Sequence, residues 1–337
     1  MCSSDLVAVL VELACELGIR ELGLACFWDI AGVKGTPPAD LAECCGRLLT
    51  TVYQSTRNSS ATTAGAARAV AEAIHATHYE IDVDSLVEKY TSLISGALGR
   101  PLTWERDDIA LQNIQARVRA PGVWMLTNLQ GALLLSTSNR SEAAVGYATM
   151  DGDTAGGLSP LAGIDKAFLR RWLLWMERIG LNDCQPIPAL RLVNQQQPTA
   201  ELRPPGEHQT DERDLMPYEI LDRIERLAIR DKLMPLEVFQ HLRIEYPQNK
   251  AGELAGWIAK FFRLFCRNQW KRERYAPSFH LDDANLDPKS WCRFPILSGG
   301  YEYELRKLEA EVRQLSKSPR SEEHTSELQS HSDLVCR

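Results

Sequence analysis

The stretch that most constrains this chain is the apolar run Ala132–Leu135 emptying into Ser136–Asp153, STSNRSEAAVGYATMDGD. Four apolar residues in succession predict a short, buried parallel strand. Thr137, Ser138 and Asn139 then fall at its carboxyl end, where open α/β sheets bind ligands. Glu142 comes next, followed by the apolar turn Ala143, Ala144, Val145 and, beyond Gly152, by Asp153. Two carboxylates beside a cluster of hydroxyls suit a metal-chelated phosphate. The same residues also describe a strand, a solvated turn and a surface helix, and alone they do not choose between the two.

Around this stretch two periodicities alternate. Val7, Leu10, Val11, Ala14 and Leu17 recur at helical spacing, with Gly18 placed to stop the helix. Leu48–Tyr53 predicts a strand, Gln54–Ser60 a polar loop, and Thr62 precedes an alanine-rich helix through Ile74. His78–Val83 alternates as another strand, and Asp84 can cap a helix over 85–98 that ends at Gly99. Asp107–Gly131 reads as a long helix bent at Pro121, in which Asn113 and Arg117, four apart, share a face. Asp165 is the expected N-cap of a helix over Lys166–Ile179, whose aromatics read as core. This alternation predicts an α/β fold with a parallel sheet and right-handed crossovers.

Composition removes some functions. A net charge of -7 argues against a nucleic-acid role driven by phosphate neutralisation. No apolar run approaches a bilayer span, and no segment has signal-peptide architecture. The nine cysteines are scattered without a Cys-x-x-Cys pair, which argues against zinc and suits reduced cytoplasmic thiols packed as small hydrophobes. From Asn182 the texture changes: Pro186, Pro188, Pro198, Pro204, Pro205 and Gly206 punctuate an irregular region ending in Gln209–Asp214. Helices open at Pro217 and Pro235, and an amphipathic helix over Ala251–Trp270 runs into the basic Lys271–Arg274. Both ends look foreign. Residues 1–6 (MCSSDL) and 320–337 resemble translated sequencing adapter, so the native protein is expected to begin before Val7, and the tail to be disordered.

In order and spacing, Asn113–Arg117, Ser136–Glu142, Tyr147 through Asp153, Pro160, Lys166, Pro198–Leu202, Gln209–Glu212, Lys271–Arg272 and Pro277–Ser278 resemble the NAD synthetases. These are amidating ligases of the adenine-nucleotide α-hydrolase (PP-loop) class. The resemblance runs roughly from Val7 to Leu315, and Cys292–Ser298 looks most like the longer, glutamine-dependent members, in which a nitrilase-type glutaminase domain precedes the synthetase domain. It implies a doubly wound parallel sheet with flanking helices. Residues 7–200 would form the synthetase core, and 201–319 a nucleotide-closing loop and helical C-terminal part of the same domain.

The resemblance also implies a reaction. ATP would adenylate the nicotinate carboxylate of deamido-NAD with release of pyrophosphate, and ammonia would then displace AMP to leave NAD. Glu142 would hold Mg2+, with Thr137, Arg57, Thr210 and Asp211 on ATP. Lys166 would stabilise the phosphate charge that develops, and Asp153 would lie near the nicotinate and ammonia. Asn113, Arg117, Lys271 and Arg272 would bind deamido-NAD. A homo-oligomer in the cytoplasm is expected, with no nucleic-acid or membrane partner.

Two departures stand out. The family's Ser-Gly-Gly-x-Asp-Ser fingerprint, whose backbone N–H groups cradle pyrophosphate at a helix start, is absent. By spacing it belongs before Val7, together with the first strand, and Ser3-Ser4-Asp5 mimics it only loosely. A chain without it is expected to be inactive or nearly so. Gly156-Gly157 stands where shorter relatives place a further carboxylate. The alternatives are another PP-loop amidoligase, or a non-catalytic nucleotide-binding or assembly module without a P-loop.

Overall fold

In the computed structural model, which describes residues 2–181, 184–197, 199, 201–204 and 210–317, the chain begins as helix α1 (Cys2–Leu22). The helix passes through Gly18, where a stop was expected. Gly18 is instead where the Phe27 ring packs, and a Cβ there would lie 2.4 Å from that ring. Gly23, at φ 76, makes the turn into α2 (Leu24–Ile30), and α3 (Leu41–Leu48) follows. Of the residues singled out above, Met1, Asn182, Pro198, Ala200, Pro205, Gly206, Gln209 and the expected tail over 320–337 lie outside the described residues.

Strand β1 (Thr50–Ser55), helix α4 (Ala61–Ala73) and strand β2 (Thr77–Asp82) form a βαβ unit. The strands pair in parallel, from Thr50 opposite Thr77 to Ser55 opposite Asp82. Thr50, Thr51, Val52 and Tyr53 are β-branched or aromatic, as a half-buried strand favours. The α/β class with a parallel sheet is therefore present. The buried strand expected over 132–135 is not. Ala132 and Leu133 are exposed, and Leu135 alone of the four makes a ladder contact, parallel to Leu158. The backbone shows why: Gly157 N donates to Leu134 O and Ser136 N to Leu158 O, each at 2.8 Å, so pairing begins only at the end of the run.

Helix α5 (Asp84–Leu98) ends at a left-handed Gly99, as the spacing predicts. Val83 rather than Asp84 is its N-cap, because Arg57 engages the Asp84 carboxylate. The long helix expected over 107–131 is two, α6 (Trp104–Arg117) and α7 (Arg119–Gln130), broken at Val118. Pro121 sits in the first turn of α7, where its missing N–H costs no hydrogen bond. There follow α8 (Arg140–Val145), α9 (Lys166–Arg178), α10 (Arg191–Asn194), α11 (Asp211–Asp214) and α12 (Tyr218–Glu225). The last described helices are α13 (Pro235–Glu245), α14 (Ala251–Arg267), α15 (Gln269–Arg272) and α16 (Glu302–Lys317).

Two apolar cores position the site. One joins α1, α4 and α9 through Val9, Leu13, Val70, Leu169 and Leu173. The other joins α8, α12, α13, α14 and α16 through Ala144, Leu221, Val238, Phe261 and Leu305. Each fully buried side chain of the Leu or Phe kind contributes about 1.5–3 kcal/mol. Because α9 belongs to the first core and α8 to the second, their N-termini meet at the seam. Among the described residues no helix is long and apolar enough to cross a membrane.

Candidate active site

The seam between α8 and α9 brings opposite charges together. Asn139 caps α8 by accepting from Glu142 N at 3.0 Å, and Glu142 Oε2 accepts in return from Asn139 N at 3.3 Å. This reciprocal box follows from an Asn three residues before a Glu. It leaves Glu142 Oε1 to accept from Lys166 Nζ at 3.1 Å. Lys166 opens α9 after the Asp165 cap and is 3% exposed. Its ammonium also meets Ser3 Oγ at 3.3 Å and lies 5.7 Å from the centre of the Tyr218 ring. Thr137 Oγ1 accepts from Ser4 Oγ at 3.3 Å. Asp211, buried at the start of α11, accepts from the Tyr218 hydroxyl at 3.0 Å. Burial lifts its carboxyl above the usual range, against the pull of Lys166 and with the help of the Glu142 charge.

A second group forms around the turn 149–153. Asn113 Oδ1 accepts from Thr149 Oγ1 at 2.9 Å, and Arg117 Nε donates to Met150 O at 3.1 Å, so their shared helix face meets one turn. Asp153 Oδ2 accepts from Thr149 N at 2.7 Å, and its carbonyl accepts from Ser136 Oγ at 3.3 Å. Asp153 is surrounded by protein yet reaches solvent, as a group on a cleft wall does. Its desolvating surroundings raise the carboxyl, opposed by the Thr149 N–H, and the Glu142 charge adds to the rise. Beside this turn lies a cavity of about 620 Å³ whose lining includes Arg117, Arg274, Trp124, Tyr90 and Thr154. Arg274 pairs there with the Asp151 carboxylate, which also lines the cavity, at 2.7 Å, so Arg117 and the two aromatic rings are what suit an anionic ligand that carries a planar ring. Gly156 is needed for close approach: a Cβ there would lie 2.6 Å from Ser136 N, so no carboxylate side chain fits at that position.

Other expected site residues are engaged in contacts of their own. Arg57 is exposed and paired with Asp84 and Glu88 at the start of α5. Thr210 caps α11 by accepting from Arg213 N at 3.3 Å. Lys271 and Arg272, expected on deamido-NAD, hold the carboxyl end of α8. Arg272 donates to Ala143 O and Ala144 O, Asn268 to Val145 O, and Lys271 to Gly146 O and Ala148 O. The Arg272 side chain is buried and stacks over the Phe265 ring at 4.0 Å, and burial brings it down to about 10.

Periodicity gave no warning of several residues in the site. Ser3, in the segment expected to be foreign, accepts from both Lys166 Nζ and Asn139 Nδ2. Tyr218, Asp222 and Glu225 stand four and three residues apart on one face of α12, and that spacing was the available signal. The buried Tyr275 hydroxyl has no partner among the described residues, and the charges of Glu142 and Asp153 reinforce its burial in raising it.

Among the described residues no three His, Cys, Asp or Glu side chains converge as a metal cage. A magnesium bound with a nucleotide needs only one or two protein carboxylates beside phosphate oxygens. Glu142 fits that role, since its charge helps to raise Asp153, Asp211, Tyr218 and Tyr275 together, a strain that a cation would relieve.

The profile of the NAD synthase family matches residues 43–273. A glutamine-dependent NAD(+) synthetase of Bos taurus is 31% identical over 306 residues, which is 85% of this chain and 42% of that protein. Its counterpart in Drosophila melanogaster is 30% identical over 280 residues, 77% of this chain and 35% of that protein. A crystal structure of a glutamine-dependent NAD(+) synthetase from Cytophaga hutchinsonii matches with a TM-score of 0.79 and 46% identity, covering 91% of this chain and 50% of that one. The chain thus spans half or less of the length of these relatives.

Proposed function

The chain belongs to the NAD synthase family, and on that footing we propose that it carries the adenylating and amidating site of an NAD synthetase. A carboxylate is a poor acyl donor because oxide does not leave. Attack of the nicotinate carboxylate of deamido-NAD on the α-phosphorus of ATP releases pyrophosphate and leaves an acyl-adenylate. Ammonia then adds at the acyl carbon, loses a proton and expels AMP, giving the amide of NAD. The observation that carries this reading is the buried contact of Lys166 with Glu142 between two helix N-termini.

On binding of ATP, Lys166 exchanges its carboxylate partner for phosphate oxygens and neutralises the charge that develops on them. Magnesium, when bound by Glu142, supplies further neutralisation of those oxygens. Thr137, Thr210 and Asp211 line the nucleotide side, and Arg57 would join them only by leaving Asp84 and Glu88. Arg117 holds deamido-NAD in the neighbouring cavity, and Asn113 binds it from beside the Thr149 turn. Asp153, whose carboxyl is raised, can take the proton that ammonia loses. Lys271 and Arg272 act through α8 by fixing the helix that presents Glu142.

In the whole protein we place a glutaminase domain ahead of this part as the source of ammonia, in a cytoplasmic homo-oligomer. The β1–α4–β2 unit supports a doubly wound parallel sheet. The test supplies deamido-NAD, ATP, magnesium and ammonia, and measures pyrophosphate and NAD. Release of the two in equal amounts, however slow, and its loss by about 100-fold or more in Lys166→Met, bears the proposal out. A protein that neither binds deamido-NAD in calorimetry nor forms NAD refutes it.

A further inference from the structure

We infer that Asp222 is a positioning residue for this reaction: from α12 it ties the first turn of α8 to the first turn of α9 and so sets the separation of Glu142 from Lys166. The inference rests on the reaction proposed above and concerns a residue to which no role has been given there.

Asp222 Oδ1 accepts from the Ser141 hydroxyl, and Oδ2 accepts from Ala167 N at 2.9 Å. Ser141 Oγ accepts in turn from Lys166 N at 2.8 Å. Ser141 is the neighbour of Glu142 in the chain, and Ala167 the neighbour of Lys166, so the junction grips the backbone on both sides of the reacting charges. Helix N-termini leave their first N–H groups without partners inside the helix. In α9 these go to Ser141 (from Lys166), to Asp222 (from Ala167) and to Asp165 (from Phe168, at 2.6 Å). The site lysine therefore stands on a helix end whose direction is set by α8 and α12.

The chemistry of the junction calls for a side chain that accepts twice with fixed geometry, once from a hydroxyl and once from an amide N–H, and a carboxyl group does so. Its neighbours on the same face of α12 reinforce it. Tyr218 lays its ring toward Lys166, and Glu225 accepts from Arg140 Nε at 3.0 Å. Three positions on one face of α12, 218, 222 and 225, thus hold Lys166, Ser141 and Arg140. Burial and the charge of Asp165 lift Asp222 to about 8. In its acid form it can donate to Ser141 Oγ and still accept from Ala167 N, so the tie survives protonation.

The test compares wild type with Asp222→Ala, Asp222→Asn, Ser141→Ala and Leu221→Ala, the last cutting into the core on another face of α12. Each is assayed for NAD formation below its melting temperature, with hydrogen exchange followed by mass spectrometry. Misplacing a reacting group by about an ångström costs on the order of 100-fold in rate. We expect kcat of Asp222→Ala to fall by about 10- to 100-fold, with KM for ATP and deamido-NAD held within about threefold. Asp222→Asn should recover to within about threefold of wild type, since its carbonyl can serve Ala167 N and its amide Ser141 Oγ. Exchange in Asp222→Ala should quicken at 139–145 and 166–169 while α14 stays protected. Should Asp222→Ala fail to fold, Ser141→Ala carries the test, with a fall in kcat of about tenfold expected. Unchanged kcat and exchange in a folded Asp222→Ala overturn the inference, as does an equal loss of kcat in Leu221→Ala. A wild type without turnover is what a chain lacking the Ser-Gly-Gly-x-Asp-Ser fingerprint is expected to show; deamido-NAD binding in calorimetry then decides the reaction, and the exchange measurement decides the junction by itself.

Discussion

Arg140 offers a test in which pH separates two energies. Its guanidinium is 2% exposed and donates to Glu225 Oε2 at 3.0 Å, Gly163 O at 2.9 Å, Ala284 O at 3.1 Å, and the carboxylates of Asp282 and Asp165 at 3.1 Å each. Glu225 is fully buried, and its other oxygen, Oε1, has no partner among the described residues. Burial raises Glu225 from 4.5 to about 7 despite the adjacent Arg140. A carboxyl raised on folding favours the folded state most fully below its unfolded value of 4.5, and the advantage is lost as pH climbs through 7. In Arg140→Met the methionine keeps most of the apolar stem but leaves two carbonyls without a donor, at a cost of about 2–3 kcal/mol. The variant also removes the cation that holds Glu225 down, so its folded value rises further and the loss continues above pH 7. The gap from wild type should therefore widen by about 1.4 kcal/mol for each pH unit above 7 until the variant's own value is reached. Urea unfolding of both proteins at pH 6 and pH 8 measures this. Arg140→Met/Glu225→Gln, lacking the buried acid, should abolish the pH-dependent part alone. A gap below about 1 kcal/mol at pH 6, or one that does not widen at pH 8, would refute the reasoning.

Other perturbations separate the roles of neighbouring residues. Arg272→Met strips the donors from Ala143 O and Ala144 O; it should lower stability by about 2–4 kcal/mol in urea and slow NAD formation more than it weakens ATP binding. Asn139→Ala removes the α8 cap, which costs about 1 kcal/mol, and frees Glu142, so the magnesium concentration at half-maximal activity should rise. Gly152→Ala would put a Cβ 2.8 Å from the Ala116 backbone; displacement of the 149–153 turn should raise KM for deamido-NAD by about tenfold with little change in KM for ATP.

The features legible in the sequence were those with local causes. Gly99 ends its helix and Asp165 caps α9 because each decision is made within a few residues. The pairing of Asn113 with Arg117 followed from helical spacing, and both meet the 149–150 turn. Glu142 and Lys166 are 24 residues apart and meet only because two separate cores press α8 and α9 together, so only a family resemblance brought them into one site. The family resemblance alone suggested deamido-NAD for Lys271 and Arg272; their bonds to carbonyls of and just after a helix more than 120 residues away were not legible, because that contact is made only by the tertiary fold. The run 132–135 read as a strand because periodicity registers apolar residues and not the partner a strand needs.

The six-residue α8 is too short to persist by itself. It is gripped at one end from α12 and at the other from 268–272, so Glu142 takes the orientation seen here only after chain synthesized much later has docked. A growing polypeptide on the ribosome would therefore bring Glu142 against Lys166 abruptly, once residue 272 has emerged and folded back. Before that point the first half of the chain is an unfinished socket.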